Sequence, residues 1–202
     1  MKYYAVRKGR EPGIYEDWNS CSQQVIRFPG AEYKSFATKE EAEAFLNEEK
    51  IELNEINLDD ITVYAFVDGS YNSNTNVYGC GGFLVDKRCE EEKRYIIQSC
   101  GNDDELSTMR NIAGEIMGSM LVIKKAVELD IKDITIFYDY MGIEMWAKGL
   151  WERNKTGTEE YYQFCQSVKD NINIHFVKVK GHTGIPGNEE ADKLAKESVG
   201  II

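Results

Sequence analysis

The sequence predicts an α/β protein in which a mixed five-stranded sheet flanked by helices follows a small α/β unit. Three strand-like segments precede an alternation of helices and strands after residue 61, which is typical of a mixed sheet. A polar, acidic stretch separates this part from a shorter first part that has its own strands and turns. We therefore predict domains at residues 1–49 and 61–202, joined by a short linker at residues 50–60.

The first unit is predicted to contain three short strands and two helices. Two Pro-Gly pairs punctuate it, as expected of turns. Asp17 is placed to cap the first helix, and Thr38 with Glu41 three residues later forms a capping box for the second. The predicted elements are strands at Tyr3–Arg7, Ile14–Tyr15 and Tyr33–Phe36, and helices from Trp18 to about Ile26 and after Thr38.

The second unit opens with an apolar run, Ile61–Val67, which predicts a buried strand that meets a turn at Asp68. Apolar residues at helical spacing predict a long helix from Glu115 to Leu129. The remaining predicted elements are strands at Gly79–Val85, Tyr95–Ser99, Ile134–Tyr138 and Ile174–Val179, and helices at Met141–Ala147, Glu159–Val168 and Gly187–Val199.

Composition excludes several classes of protein. No apolar run approaches the roughly 20 residues of a membrane span, and the first residues lack the apolar core of a secretory signal. Five widely spaced cysteines argue against a disulfide framework and a thiolate zinc site. The net charge of −11 by itself counts against nucleic-acid binding, although the segment Met1–Lys34 is mildly basic. We expect a soluble, cytoplasmic monomer.

Four acids occupy positions that backbone geometry can gather. Asp68 and Asp139 directly follow apolar strands, Glu115 opens the long helix, and Asp192 lies early in the last helix. Each acid alone is more commonly a turn, cap or solvated residue. Together, clustered carboxylates need cations, and their hard oxygen atoms select Mg²⁺ or Mn²⁺ rather than zinc.

The segments around these acids resemble type 1 ribonuclease H, in the same order over about 140 residues. They are Phe66-Val67-Asp68-Gly69-Ser70-Tyr71, Gly79-Cys80-Gly81-Gly82, Asn111-Ile112-Ala113-Gly114-Glu115, Ile136-Phe137-Tyr138-Asp139, and Lys178 to Gly184 followed by Asn188-Glu189-Glu190-Ala191-Asp192. The resemblance implies a ribonuclease H-like fold and an endonuclease that cuts the RNA strand of RNA–DNA hybrids, leaving 5′-phosphate and 3′-hydroxyl ends.

The resemblance also implies roles for single residues. Asp68 would contact two Mg²⁺ ions, for which Mn²⁺ could substitute. Glu115, Asp139 and Asp192 would complete the two ion sites, and His182 would assist proton transfer or product release because histidine titrates near neutral pH. Asn111 would contact a 2′-hydroxyl of the RNA. The implied substrate-binding residues are Gly69, Ser70, Asn111 and Asn188.

The first 46 residues resemble the viroplasmin-like hybrid-binding domain of the same family, through Tyr4 to Arg10, Phe28 to Ala31 and Tyr33 to Phe36. Aromatic faces can pack on sugars and bases while neighbouring cations hold phosphates. The resemblance implies that Tyr4, Trp18, Tyr33 and Lys34 contact the duplex. The residues alone favour the alternative that Trp18 and Tyr4 fill the core, because so small a domain has few other large apolar side chains.

Three features depart from the family pattern. Tyr140 follows Asp139 where serine is common, which predicts the loss of a hydroxyl contact, and Ser35 stands where a second lysine is common. The segment Lys148–Thr158 is short and has few basic residues. We therefore expect the catalytic domain to depend strongly on the N-terminal domain for binding.

Three other hypotheses remain. A non-catalytic hybrid-binding protein would have an incomplete acidic set, whereas all four acids are present. An integrase, transposase or junction resolvase could share the fold, which does not by itself define the reaction. An acidic α/β domain of unrelated role would leave the segment from Gly181 to Asp192 unexplained.

Overall fold

The structure is a computed structural model that describes residues 2–46, 57–181 and 184–201. The chain divides into two compact units. The first contains the chain up to residue 49 with Leu150–Glu152, and the second contains the rest. Within the described ranges, no helix combines the length and apolar character that crossing a bilayer requires.

The first unit is a three-stranded antiparallel sheet with a helix on each face. The strand order is β2-β1-β3. The elements are β1 (Tyr3–Lys8), β2 (Gly13–Tyr15), α1 (Trp18–Val25), β3 (Glu32–Phe36) and α2 (Lys39–Leu46). Successive residues of a strand face opposite sides of the sheet. Val6 of β1 pairs with Tyr33 of β3, so Phe36, three residues further along β3, faces the other side. Val6 accordingly packs with α1, whereas Phe36 packs on Phe45 of α2.

The predicted helix caps of this unit are present. The Asp17 carboxylate accepts a hydrogen bond of 2.9 Å from the Ser20 amide. The Glu41 amide donates to the Thr38 hydroxyl at 3.2 Å, and the Thr38 amide donates to the Glu41 carboxylate at 3.0 Å. These bonds satisfy amides that have no partner within the helices, so the sequence signals define where both helices begin.

The second unit contains the predicted mixed five-stranded sheet, in the order β6-β5-β4-β7-β8. Strands β4, β5 and β6 pair antiparallel, and β7 pairs parallel to both β4 and β8. The strands are β4 (Val63–Asn72), β5 (Val77–Asp86), β6 (Lys93–Gly101), β7 (Asp133–Tyr138) and β8 (Asn173–Lys178).

Helices flank this sheet, and both α4 and α7 pack on β4 and β5. The helices are α3 (Asp104–Ser107), α4 (Asn111–Glu128), α5 (Gly142–Ala147), α6 (Thr156–Val168) and α7 (Pro186–Ser198), preceded by a 3₁₀ turn at Leu58–Asp60. One apolar cluster surrounds Phe66 and Phe137, whose rings stack with centroids 4.6 Å apart. Phe66 and Phe137 are the last residues of the parallel pairing between β4 and β7.

Two predicted boundaries that concern the acids are wrong. Strand β4 does not end at Asp68 but continues to Asn72, because β5 pairs with it along the whole hairpin. The long helix begins at Asn111, so Glu115 lies in its second turn rather than at its start. The 3₁₀ turn and α3 were not predicted, and residues 50–56 of the predicted linker lie outside the described residues.

Candidate active site

The parallel pairing of β4 with β7 brings Asp68 and Asp139 to neighbouring positions. The last paired residues of these strands are Phe66 and Phe137. Asp68 and Asp139 each lie two residues further along, and residues two apart in an extended chain face the same side. Asp68 therefore lies just beyond the point where β7 stops pairing with β4, although β4 itself continues.

Glycine allows α4 to approach β4 closely enough to add a third acid. A Cβ atom on Gly69 would lie 2.3 Å from the Asn111 carbonyl oxygen and 2.4 Å from the Glu115 amide nitrogen. A Cβ atom on Gly114 would lie 2.0 Å from the Gly79 carbonyl oxygen. Because both positions lack side chains, the helix backbone lies against the strand backbone and Glu115 reaches Asp68.

The three acids form a tight and largely buried cluster. One carboxylate oxygen from each of Asp68, Glu115 and Asp139 lies within 4.8 Å of the other two. Asp68 is 7% exposed and Glu115 only 2% exposed, whereas Asp139 is partly exposed. The cluster therefore opens to solvent on the side of Asp139.

Burial and mutual repulsion make this cluster costly to ionise. Burial, followed by the charge of Asp139, raises the pKa of Asp68 from 3.8 to about 7, although hydrogen bonds from Glu115 and the Gly69 amide oppose the change. Burial, followed by the charges of Asp68 and Asp139, raises the pKa of Glu115 well above its ordinary value. A cation bound between such carboxylates offsets their mutual repulsion and favours their ionised forms.

The donor set fits a hard divalent cation. All three ligands are carboxylate oxygens, which suit magnesium or manganese better than softer metals. Oε2 of Glu115 is buried and has no hydrogen-bond partner among the described residues, so this residue of the cluster has an unsatisfied acceptor. A bound cation would satisfy this oxygen, which ordinarily would be paired.

The last predicted acid lies near the cluster but outside it. Asp192 is not within the group of three, and its carboxylate accepts a hydrogen bond of 2.6 Å from Lys196 of the same helix. Its charge nevertheless contributes to the raised pKa of Asp68. Asn188, one turn earlier in α7, is 2% exposed, and its side-chain oxygen has no partner among the described residues. His182 lies outside the described residues.

The other predicted substrate-binding residues border the cluster. Gly69 and Ser70 are partly exposed in β4, and Asn111 is the exposed first residue of α4. Arg110 precedes Asn111 with a φ of 55°, a left-handed conformation that non-glycine residues rarely adopt. No sequence signal marked this strained entry to the helix, because arginine has no preference for it.

Tyr140, which follows Asp139 directly, packs within the second unit. It is half-buried, and its ring packs on Trp146 with centroids 5.8 Å apart. Gly142 leaves room for this pair, because a Cβ atom there would lie 2.4 Å from the Tyr140 ring. Burial, and then the charge of Glu115, raise the pKa of Tyr140, so its hydroxyl remains protonated beside the acids.

In the first unit, the predicted aromatic residues form one cluster, in which Tyr4 is partly buried against the core and Trp18 and Tyr33 are exposed. The Trp18 ring lies 5.6 Å from that of Tyr4 and 5.8 Å from that of Tyr33. Trp18 is 42% exposed and Tyr33 is 45% exposed, so these two rings do not fill the core. Lys34 is also exposed. Because it directly follows Tyr33 in β3, its side chain faces the opposite side of the sheet, near Phe36. The structure therefore brings together Tyr4, Trp18 and Tyr33, without Lys34.

Comparisons with known proteins agree with this architecture. The chain resembles the crystal structure of RNase H1 from the halophilic archaeon Halobacterium salinarum, with a TM-score of 0.51 and 21% identity over 68% of this chain and 96% of the other. This likeness assigns the ribonuclease H fold. A family model described as RNase H matches residues 60–199, and one described as Ribonuclease H1 N-terminal domain matches residues 2–46.

The chain belongs to the ribonuclease H family, whose members depend on a divalent metal. Ribonuclease H of Schizosaccharomyces pombe is 35% identical over 264 residues, with 96% of both chains covered. Ribonuclease H1 of Homo sapiens is 27% identical over 253 residues, which cover 96% of this chain and 88% of the human protein. Both likenesses extend across the two units, so the protein is a ribonuclease H with the N-terminal domain of Ribonuclease H1.

Proposed function

We propose that this enzyme hydrolyses the RNA strand of RNA–DNA hybrids with two divalent ions, leaving 5′-phosphate and 3′-hydroxyl ends. The observation that carries this proposal is the buried cluster of Asp68, Glu115 and Asp139 within a ribonuclease H fold. A protein that only bound hybrids would have no reason to keep three carboxylates at the cost of their mutual repulsion.

Mg²⁺ is the proposed ion, and Mn²⁺ is expected to substitute for it. Asp68 would hold both ions, and Glu115, Asp139 and Asp192 would complete their sites. Two ions held side by side stabilise the attacking and leaving oxygens of a phosphoryl displacement. Asp192 would have to exchange its bond with Lys196 for this role.

The remaining site residues are proposed to hold the RNA strand. Gly69 and Ser70 offer backbone and hydroxyl groups beside Asp68, and Asn111 presents an exposed amide at the start of α4. The buried side-chain oxygen of Asn188, which has no partner among the described residues, suits a donor such as a ribose hydroxyl. His182 is proposed to move protons or assist product release.

The decisive experiment is cleavage of a labelled RNA–DNA hybrid in Mg²⁺, beside RNA–RNA and DNA–DNA duplexes. We expect only RNA in the hybrid to be cut, and Asp68→Asn to lower the rate by more than about 100-fold, because loss of even an outer contact to a metal ligand costs 10–100-fold. Asp170→Asn, an exposed acid at the end of α6, is the matched control and should cut normally.

Three other results would contradict the proposal. Hybrid binding without cleavage in Mg²⁺ or Mn²⁺ would indicate a non-catalytic hybrid-binding protein. Cleavage of DNA duplexes would indicate a different nuclease on the same fold. Equal loss of activity in Asp68→Asn and Asp170→Asn would show that charge alone, rather than the cluster, is responsible.

We further propose that the aromatic cluster of Tyr4, Trp18 and Tyr33 binds the hybrid. Trp18→Ala should weaken hybrid binding by about 5- to 150-fold, since an aromatic contact to a base or sugar contributes about 1–3 kcal/mol. Ile26→Ala is the matched control, because Ile26 is also exposed (55%) and lies in the same unit outside this cluster. Fluorescence anisotropy of a labelled hybrid measures both, and equal affinities would contradict this proposal.

A further inference from the structure

A cavity of about 190 Å³ lies in the second unit, away from the acidic cluster. Helix α4 forms one wall with residues at helical spacing, among them Met117, Met120 and Leu121. The segment that contains α3 contributes Met109 to the opposite wall, and α6 closes another side. Tyr78 of β5 also lines the cavity, which is therefore bounded by four segments of one unit and is partly open to solvent.

Packed contacts hold these walls in place. Ser119 of α4 and Tyr161 of α6 share a buried hydrogen bond of 2.8 Å. The next residue of α4, Met120, and the preceding residue of α6, Glu160, both line the cavity. At Gly157 a Cβ atom would lie 2.7 Å from Leu106, so the α3 segment lies directly on α6. The space is thus a built feature between fixed elements.

The lining favours a particular chemistry. Three of its side chains are methionines, whose thioethers adapt in shape and make favourable contacts with aromatic rings, each worth about 0.3–1.5 kcal/mol. The charged residues of the lining, Lys124 and Glu160, are both exposed and therefore form its rim. A ligand can thus place a flat apolar body inside and one polar group at the edge.

We propose that this cavity binds a single small aromatic molecule with one hydrogen-bond donor, of the indole or phenol class. The size agrees, because an apolar cavity of about 150 Å³ holds benzene. The aromatic body would contact the three methionines, and the donor would reach the Glu160 carboxylate. Ile116 also lines the cavity and directly follows Glu115, so the ligand would touch the helix that holds this acid.

Methionine methyl resonances test this proposal without reference to catalysis. The chain has six methionines, and indole added to protein labelled with ¹³C at the methionine methyl groups should shift Met109, Met117 and Met120. Met141 and Met145 are buried outside the lining and serve as internal controls. We expect saturable shifts with a dissociation constant on the order of 1 mM. Because binding alone is measured, this result stands whether or not hybrid hydrolysis is observed.

A variant that fills the cavity provides the second arm. Leu121→Trp places an indole from the chain itself in the cavity, so added indole should no longer shift Met109 or Met117. If this variant does not fold, nuclear Overhauser contacts between indole protons and the three methyl groups of the wild type decide the question. The proposal is overturned if no methionine shifts at millimolar indole, if Met141 and Met145 shift equally, or if the folded variant still responds.

Discussion

Asp68→Asn is expected to stabilise the metal-free protein while it removes activity. At pH 8 the free energy of unfolding should rise by on the order of 2–4 kcal/mol, because the substitution removes a buried charge whose pKa is raised from 3.8 to about 7. The asparagine oxygen can still accept the 2.8 Å hydrogen bond that the Gly69 amide donates to Asp68. The variant therefore loses the repulsion between residue 68 and the neighbouring carboxylates but keeps the hydrogen bond from the Gly69 amide.

The same raised pKa predicts how stability depends on pH. Well below pH 4 Asp68 is protonated in both the folded and the unfolded chain, so its ionisation does not make stability depend on pH there. Between about pH 4 and pH 7 the unfolded chain loses its proton first, and the stability of the metal-free wild type should fall as the pH rises. The raised pKa of Glu115 acts in the same direction.

Urea unfolding in a chelator at pH 5 and pH 8 measures both effects. The stability of the wild type should decline more between these two values than that of Asp68→Asn, and Asp170→Asn should follow the wild type. Added Mg²⁺ should stabilise the wild type more than the variant, since a ligand stabilises the state that binds it. Equal pH dependence in wild type and Asp68→Asn would contradict this account of the cluster.

Gly114→Ala should be among the most destabilising single methyl additions in the protein. The new Cβ atom would lie 2.0 Å from the Gly79 carbonyl oxygen and 3.0 Å from the Gly69 Cα atom. Neither is the end of a flexible side chain, so α4 would have to move away from the sheet. We expect a loss of about 3 kcal/mol or more, at the upper end of overpacking effects.

Gly118→Ala, one turn further along α4, is the matched control. Its Cβ atom would lie 3.1 Å from Cys80 Cβ and 3.7 Å from Val67 Cβ, which small side-chain shifts can accommodate. The gain in helix propensity, about 1 kcal/mol, should largely offset that adjustment. Thermal unfolding of both variants tests the comparison, and similar melting temperatures would show that α4 does not depend on this close approach.

The sequence was sufficient to predict the elements whose signals are local. Asp17 and Thr38 cap their helices as predicted, and the alternation of elements after residue 61 correctly predicted a mixed five-stranded sheet. The two errors have a common cause, since the end of β4 and the start of α4 depend on neighbours distant in sequence. Strand β4 continues because β5 pairs with it, and the first turns of α4, from Asn111 to Glu115, lie against Gly69 of β4.

The candidate site shows the same division between local and distant information. The positions of Asp68 and Asp139 after apolar runs predicted their proximity, but nothing local to Glu115 indicates that it is almost fully buried. That depends on glycines in two separate segments, Gly69 of β4 and Gly114 of α4, which let the helix backbone lie against the strands. In the first unit, residue type alone favoured a core position for Trp18. Its exposure could not be predicted, because exposure depends on which face of the sheet the other apolar residues cover.

The exposure of Trp18 has a practical spectroscopic consequence. Of the three tryptophans, Trp146 and Trp151 are 8% and 9% exposed, whereas Trp18 is 42% exposed. A collisional quencher such as iodide should therefore reduce the emission of Trp18 selectively. Intrinsic fluorescence then reports on the aromatic cluster of the N-terminal unit in the unlabelled wild-type chain, and occupation of that cluster by a nucleic acid should appear as protection from quenching.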